Sequence, residues 1–346
     1  MKRRTTFALA GALAVVLGVG AAAAQEVTLR VHHFLSPRGS VPLNFIEPWA
    51  QKVMDESSGR IKVEIYPAMQ LGGAPPTLYD QAKDGVVDIV WTLTSYTPGR
   101  FPETEALELP FMTPTSGEAA SRAAWTFVQE NATERFSDVH LIAVHMHGPG
   151  VIHKKGGPIT SMDDFKGLKL RGPSRLSSRL LEALGATPVS MPVPAFPEAL
   201  SKGVVDGGVI PFEVVPALKV EELVDSHTRI GGDTALYNVT FVFAMNKARY
   251  EGLPADLKAV INANSGIETS AWAGRAMDAG DLVGIGIIEK RGNTIATTDP
   301  ALTAALAAAS EGVAAGWVAE VTGMGLDGAA LLDAARAAMA AARAGQ

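Results

Sequence analysis

The fold of this chain is decided by one stretch, DDFKGLKLRGPS at residues 163–174, and by the apolar-periodic run at 175–184 that follows it. Leu168 and Leu170 alternate with basic residues, and a period of two is typical of a strand with one buried face. A Gly-Pro pair then ends the strand, and the next run has the period of an amphipathic helix. The stretch therefore predicts a strand, a sharp turn and a helix, as in an α/β fold.

Arg171 stands at the end of this predicted strand, three residues before the start of the predicted helix. Ser174 is a good N-cap for that helix, because its hydroxyl can accept a hydrogen bond from a free N–H group of the first turn. A guanidinium fork beside free backbone N–H groups suits a carboxylate. The alternative is an arginine paired with an acidic side chain of the protein itself, and the local sequence leaves both open.

The first 24 residues have the organisation of a secretory signal peptide. The basic run at 2–4 precedes an apolar region at 7–19 and a small-residue cleavage site at 22–24. The apolar region is too short for a transmembrane helix. The chain has no cysteine, which excludes disulfides, thiolate metal ligands and a lipid-anchored cysteine. We expect a soluble protein that is exported to the bacterial periplasm.

The rest of the chain is acidic. The full sequence has 30 basic and 36 acidic residues, and the signal peptide carries three of the basic ones, which leaves a net charge of −9. This balance argues against nucleic acid or an anionic membrane as a partner, so recognition of an anion must come from one or two well-placed cations. A mature chain of about 320 residues is long for one hydrophobic core, and two lobes are expected.

Strands alternate with helices along most of the chain, which predicts α/β lobes with mainly parallel sheets. Two segments echo each other, DGVVDIV at 84–90 and KGVVDGGV at 202–209. Each has the pattern of a helix end, a glycine that stops the helix, and a buried strand. The echo indicates two lobes of related topology whose strands end at a shared cleft, where open α/β sheets bind their ligands.

Later segments complete this plan. The apolar run at 236–245 predicts a strand that returns the chain to the first lobe. The run from Ala255 to about Lys290 predicts one helix, long enough to span both lobes. The Ala-rich run at 301–342 predicts terminal helices on the outside of the protein, without residues that suggest chemistry.

Several motifs together resemble a known family. They are HHFLSP (32–37), SGRIKVEIYPAMQLGG (58–73), YTPGRFPETEALELPFM (96–112), DDFKGLKLRGPS (163–174) and MNKARYEGLPADLKAVI (245–261). With the signal peptide, they look like the substrate-binding protein of a tripartite ATP-independent periplasmic (TRAP) transporter, the DctP family. The resemblance implies a two-lobed periplasmic-binding-protein (flytrap) fold, with a long helix spanning both lobes. It also implies an organic acid ligand, trapped when the lobes close, and the small and large permease subunits in the membrane as partners.

The resemblance also assigns parts of the chain. The signature arginine of the family falls on Arg171, which makes it the residue that binds the ligand carboxylate. We expect the first lobe to comprise 25–148 plus 234–275 and the second lobe 149–233 plus 276–330. Residues 331–346 are expected to form a C-terminal Ala-rich helix or tail.

Positions around the arginine differ from family members that bind highly polar acids. Val151 stands where such members carry a second arginine, and Ile210 stands where a polar residue is common. One cation within apolar walls favours a monocarboxylate with an apolar or aromatic body, such as a 2-keto or 2-hydroxy acid, because a second carboxylate would be poorly compensated. The candidate ligand-binding residues are Arg171, Ser174, Phe34, Trp91, Leu93, His153, Ile210, Phe212, Tyr237 and Asn238.

Other interpretations stay open at this point. Phe34, Trp91 and Tyr237 suit a hydrophobic core as well as a cavity wall. A C4-dicarboxylate ligand, a flytrap receptor of a signalling system and an exported hydrolase are the alternative functions. The sequence has no nucleophile elbow, no nucleotide-binding glycine pattern and no convincing pair of carboxylates. Its histidines lack acidic or cysteine partners at metal spacing. We therefore expect a monomer that is not an enzyme and needs no metal or cofactor.

Overall fold

The computed structural model describes residues 25–345, and the predicted signal peptide lies outside them. Within this range, eleven strands form two separate sheets, and helices cover both. This arrangement confirms the predicted two-lobed α/β fold. The chain passes from the first sheet to the second between Met146 and Val151, and it returns between Arg229 and Thr240. Both crossings contain a predicted lobe boundary, at 148/149 and at 233/234. The predicted segments remain our proposal for the extent of each lobe.

The first sheet has the strand order β2-β1-β3-β10-β4. Its strands are β1 (Val27–His33), β2 (Ile61–Tyr66), β3 (Ile89–Leu93), β4 (Val139–Met146) and β10 (Thr240–Asn246). β1 runs parallel to β2 and β3, whereas β10 runs antiparallel to β3 and β4. The sheet is therefore mixed, not mainly parallel as predicted, because β10 enters it from the second lobe in the opposite direction.

The second sheet has the strand order β11-β9-β5-β8-β6-β7. Its strands are β5 (Val151–Lys154), β6 (Lys169–Gly172), β7 (Thr187–Ser190), β8 (Gly207–Ile210), β9 (Ser226–Arg229) and β11 (Thr294–Thr297). β6 is the strand predicted from the stretch at 163–174, and it pairs in parallel with β7 and β8. Ser174 begins the next helix as predicted, since its hydroxyl accepts a hydrogen bond from Ser177 N.

Helices cover the faces of both sheets and the ends of the chain. They are α1 (Glu47–Glu56), α2 (Leu78–Lys83), α3 (Gly117–Asn131), α4 (Arg175–Ala183), α5 (Phe196–Ser201), α6 (Val215–Leu218), α7 (Lys247–Glu251), α8 (Ala255–Ala263), α9 (Ile267–Arg291), α10 (Pro300–Gly323) and α11 (Gly328–Ala344). α10 is long and apolar enough to cross a membrane, yet it packs on α4 and α11, and its Trp317 is fully buried. α11 packs on α3, so most of the predicted tail is a helix docked on the first lobe.

The predicted helix from Ala255 to about Lys290 is interrupted. α8 ends at Ala263 and α9 starts at Ile267, because Gly266 has φ +100°, outside the helical region. The break is pinned to the first lobe, since Gly266 N donates to Ile142 O at 2.8 Å. α9 still contacts α3 and β4 of the first lobe and β11 of the second, so a long helix spans both lobes as predicted.

Candidate functional site

A cavity lies between the two sheets, where the carboxyl ends of β1, β3, β6 and β8 meet. Its empty space, including the part open to solvent, is about 370 Å³. Both lobes contribute to its wall, so the lobes are closed over it. The lining residues are Phe34, Leu35, Trp91, Leu93, Tyr96, His147, Arg171, Pro173, Val193, Ile210, Pro211, Glu213, Val214, Tyr237, Val239 and Phe241.

Arg171 reaches the cavity from β6, in the interior of the second sheet. It pairs with Gly208 of β8, and a Cβ on Gly208 would lie 2.8 Å from the Cβ of Arg171 and 2.7 Å from the Phe196 ring. Glycine at this position therefore leaves room for the arginine. The guanidinium is fixed by backbone carbonyls, with Nε donating to Met191 O and Nη1 to Val209 O, both at 3.0 Å.

The Arg171 guanidinium is a buried cation that forms no salt bridge with any residue from 25 to 345. Its residue is 1% exposed, and Nη2 is buried without a hydrogen-bond partner among residues 25–345. Burial lowers the pKa of Arg171, while the only opposing influences come from two tyrosines and not from a carboxylate. Arginine stays protonated in proteins, so the charge remains. The alternative of an arginine paired with an acid of the protein is therefore wrong for this closed form.

Tyr96 and Tyr237 are those two tyrosines. The Tyr96 hydroxyl accepts a hydrogen bond from Val193 N at 2.9 Å, which joins the first lobe to the second. Burial raises the pKa of both tyrosines. Both are neutral at pH 7, so neither balances the charge of Arg171. Tyr96 follows β3 at the same edge of the sheet as Leu93.

The first lobe contributes stacked aromatic rings to the wall. The Trp91 ring lies between two others, with ring centroids 4.8 Å from Phe34 and 4.9 Å from Phe241. Phe241 was not a candidate from the sequence. It alternates with Tyr237 and Val239, which also line the cavity, so the period of two through this segment was the signal that pointed to it.

Six of the ten candidate residues line the cavity, and four do not. The six are Phe34, Trp91, Leu93, Arg171, Ile210 and Tyr237. Ser174 is the first exception: besides capping α4, its hydroxyl lies beside the buried carboxyl of Glu108 in the first lobe. Ser174 thus contributes to the contact between the lobes and not to the cavity lining.

His153 and Phe212 pack inside the second lobe. His153 Nε2 donates to Ile210 O at 3.0 Å, and its Nδ1 lies 2.6 Å from His227 Nδ1. The Phe212 ring meets His153 edge-on, with centroids 5.7 Å apart. Because both ring nitrogens are engaged within the protein, His153 has no donor left for a ligand. Burial also lowers its pKa well below the ordinary value, so the ring is neutral.

Asn238, the fourth exception, positions a cavity residue that was not predicted. Its Nδ2 donates to His147 O at 2.8 Å, and its Oδ1 accepts from His147 N at 3.2 Å. The His147 ring follows β4 and lines the cavity, with Nδ1 donating to Gly148 O. Burial and the nearby Arg171 cation lower the pKa of His147 to about 4. The ring is therefore neutral at pH 7.

Glu213 is the acidic residue among the described lining residues. Its main-chain N–H donates to Asp281 Oδ1 of α9 at 2.7 Å. Burial, together with the Asp281 carboxylate, raises the pKa of Glu213 to about 8. A cation beside the ligand would need more oxygen ligands, and residues 25–345 contain no cluster of three or more His, Cys, Asp or Glu placed to hold a metal ion.

A family model matches most of the chain. The model for bacterial extracellular solute-binding protein, family 7 (DctP), matches residues 32–319. The chain is also 27% identical to the protein named outer membrane transporter protein TsaT of Comamonas testosteroni, over 99% of both chains.

Solved structures of TRAP solute-binding proteins have the same fold. The protein from Rhodoferax ferrireducens T118, in complex with copurified benzoate, is 48% identical with a TM-score of 0.89, over 91% of this chain and 98% of that one. A marine metagenome protein specific for aromatic acid ligands, in complex with 3-hydroxybenzoate, is 46% identical with a TM-score of 0.90, over the same shares. A protein from Bordetella bronchiseptica with bound (R)- and (S)-mandelate is 28% identical with a TM-score of 0.81, over 90% of this chain and 98% of that one.

Proposed function

The chain belongs to family 7 of the bacterial extracellular solute-binding proteins, the DctP family, and from this premise we propose that it binds an aromatic monocarboxylate for a TRAP transporter. One observation carries the proposal. Arg171 places a fully buried guanidinium, with Nη2 unpaired, in the wall of a cavity lined by stacked aromatic rings. A buried cation without a partner is costly. A ligand carboxylate would supply the missing charge and accept the free N–H group.

The lining supports one carboxylate and not two. Arg171 is its only arginine or lysine among the described residues, His147 is neutral, and Glu213 adds an acid. A second carboxylate on the ligand would be desolvated beside a carboxyl group, at a cost of several kcal/mol. The aromatic acids bound by relatives that are 46–48% identical point to a ring as the body of the ligand.

The wider setting follows the family. We infer that the protein is exported to the periplasm, works as a monomer, and delivers its ligand to the membrane subunits of the transporter. The ordered steps are binding to the open form, closure of the lobes over the ligand, and docking of the closed form. Closure removes water from the cavity and thereby strengthens the contact between Arg171 and the carboxylate.

Isothermal titration calorimetry of protein that has been unfolded, stripped of ligand and refolded tests this proposal. Benzoate, phenylacetate, mandelate, succinate and malate form the panel. We expect at least one aromatic acid to bind 100-fold more tightly than either dicarboxylate. Tight binding of succinate or malate without a response to the aromatic acids would overturn the proposal.

Arg171→Met removes the charge while keeping a long side chain. We expect a loss of about 2–5 kcal/mol in binding of the best aromatic acid, which corresponds to about 30- to 4,000-fold in Kd. Arg179→Met is the matched control, because Arg179 pairs with Glu320 on the surface and lies away from the cavity. Equal affinities of the two variants would refute the role of Arg171.

A further inference from the structure

Besides the guanidinium, the cavity contains two more buried polar atoms without partners. They are His147 Nε2 and Glu213 Oε2, and neither has a hydrogen-bond partner in the part of the chain that the structure describes. Both residues line the same cavity as Arg171. Buried polar side-chain atoms are nearly always hydrogen-bonded in folded proteins, and exceptions require an explanation. An aromatic acid that carries only a carboxylate would satisfy Arg171 and leave the other two atoms unpaired.

His147 presents an acceptor to the cavity. A carbonyl oxygen only accepts, so the contact of Nδ1 with Gly148 O puts the hydrogen on Nδ1. The neutral ring then has a lone pair on Nε2. The two hydrogen bonds between Asn238 and the main chain of His147 keep the residue from turning away. Nε2 therefore needs a donor from whatever fills the cavity.

Glu213 presents the complementary group. With its pKa raised to about 8, the carboxyl is mostly protonated at pH 7 and can donate a hydrogen bond. Helix α9 packs against the main chain of this residue. The Glu213 N–H donates to Asp281, and the missing side chain of Gly280 leaves room for the Glu213 Cβ. A Cβ on Gly280 would lie 2.8 Å from that of Glu213.

Asp281 of α9 lies against the main chain of both segments that carry these groups. Its Oδ1 accepts from Glu213 N at 2.7 Å, and its Oδ2 lies so close to Gly148 that a Cβ there would be 2.2 Å away. Gly148 directly follows His147, whose ring also meets Tyr237 edge-on at 5.4 Å. The two segments that carry the acceptor and the donor therefore share one neighbour on α9.

We propose that the cavity selects an aromatic monocarboxylate bearing a hydroxyl group, which donates to His147 Nε2 and accepts from Glu213. A hydroxyl is the smallest group that does both. A keto oxygen only accepts and leaves His147 unpaired, and an apolar substituent leaves both unpaired. This inference rests on the proposed function, because it assumes that Arg171 holds the carboxylate of the same ligand.

The test compares matched pairs of acids by calorimetry near pH 6.5. Benzoate is paired with its 2-, 3- and 4-hydroxy derivatives, and phenylacetate with mandelate. We expect the best hydroxylated acid to bind at least tenfold more tightly than its parent. If both members of each pair bind equally, or the parents bind more tightly, the inference is wrong while the proposed function stands. If no aromatic acid binds, the proposed function itself fails.

Variants assign the preference to the two residues. In Glu213→Met and His147→Phe, we expect the ratio of affinities between the hydroxylated acid and its parent to fall below threefold. Glu213→Gln keeps a neutral donor and should retain the ratio. If circular dichroism shows that His147→Phe does not fold, the comparison of Glu213→Met with Glu213→Gln is sufficient to test the assignment. A ratio that is unchanged in Glu213→Met, or lost equally in Glu213→Gln, contradicts the assignment.

Discussion

Replacing Arg175 with methionine is expected to weaken ligand binding without changing the cavity lining, because this residue forms an ion pair with Glu105 between the two lobes. Arg175 is the first residue of α4 in the second lobe, and Glu105 precedes α3 in the first. Arg175 Nε donates to Glu105 Oε1 at 2.6 Å, and Nη2 donates to the other oxygen, so the pair is bidentate. The Glu105 side chain is only 6% exposed and that of Arg175 19%.

The size of the loss in binding depends on how well the Glu105 carboxylate is compensated once Arg175 has been replaced. Breaking a fully buried ion pair costs about 3–5 kcal/mol, mainly because one charge stays buried and unpaired. Here Trp317 Nε1 still donates to Glu105 at 3.2 Å, and the exposed part of the Arg175 site admits water. We therefore expect about 1.5–3 kcal/mol. We expect opening of the lobes to hydrate Glu105, so that this cost falls on the closed form.

The ligand contacts both lobes, so tight binding requires closure. If the open form predominates without ligand, the free energy lost from the closed form is lost in full from ligand binding, and the apparent Kd rises accordingly. This corresponds to about 12- to 140-fold. Calorimetry with the best ligand gives the Kd, and stopped-flow fluorescence gives the dissociation rate, which should rise most. Small-angle scattering should show that the variant needs more ligand to reach the compact form.

Arg179→Met provides the control for this experiment. Arg179 lies on the same helix and pairs with Glu320 at 2.6 Å, without reaching the first lobe. Adding Glu105→Gln to the Arg175 variant removes the stranded charge and should restore part of the affinity. Binding within threefold of wild type in Arg175→Met, or an equal loss in Arg179→Met, would refute the role of this ion pair in closure.

Two further predictions concern stability. Burial raises the pKa of Glu108 from 4.5 to about 8, so the folded protein keeps a proton that the unfolded chain loses, and its stability falls as pH rises from about 4.5 to 8. Glu108→Gln should make the fall of Tm across this range shallower, and an unchanged slope contradicts the reasoning. Gly284→Ala should lower the free energy of unfolding in urea by about 1–3 kcal/mol, since its Cβ would lie 2.3 Å from Phe212 O. A Cβ on Gly286 of the same helix would have no atom within 4 Å, so Gly286→Ala should raise the free energy of unfolding by up to about 1 kcal/mol. Equal effects of the two substitutions would contradict this packing.

The part of the fold that could be predicted is the part encoded by local pattern. The alternation of Leu168 and Leu170, the following Gly-Pro pair and the cap at Ser174 lie within a few residues of one another, and the structure has the strand, turn and helix there. The missed break at Gly266 has a different origin. Its neighbours are helix-compatible, and the interruption is fixed by a hydrogen bond to Ile142, more than a hundred residues away.

The candidate site likewise contains residues that could be predicted and residues that could not. The resemblance to the family implied that Phe34, Trp91, Leu93, Arg171 and Ile210 lie at the cleft, where open α/β sheets bind their ligands. His153 sits on a strand as well, but its ring meets His227 and Ile210 O inside the second lobe. No local pattern distinguishes these two outcomes.

Two α/β lobes and an arginine at the end of a strand could be predicted from local sequence patterns. That follows from periodicity, capping and residue type, which act over a few positions. Two further properties of the site could not be predicted in this way. Among residues 25–345, Arg171 has no counterion in the closed form, and His147 and Glu213 line the same cavity with unpaired atoms. They could not be predicted because burial, pKa and hydrogen bonding depend on segments such as α9, which contact these residues only after the two lobes have packed.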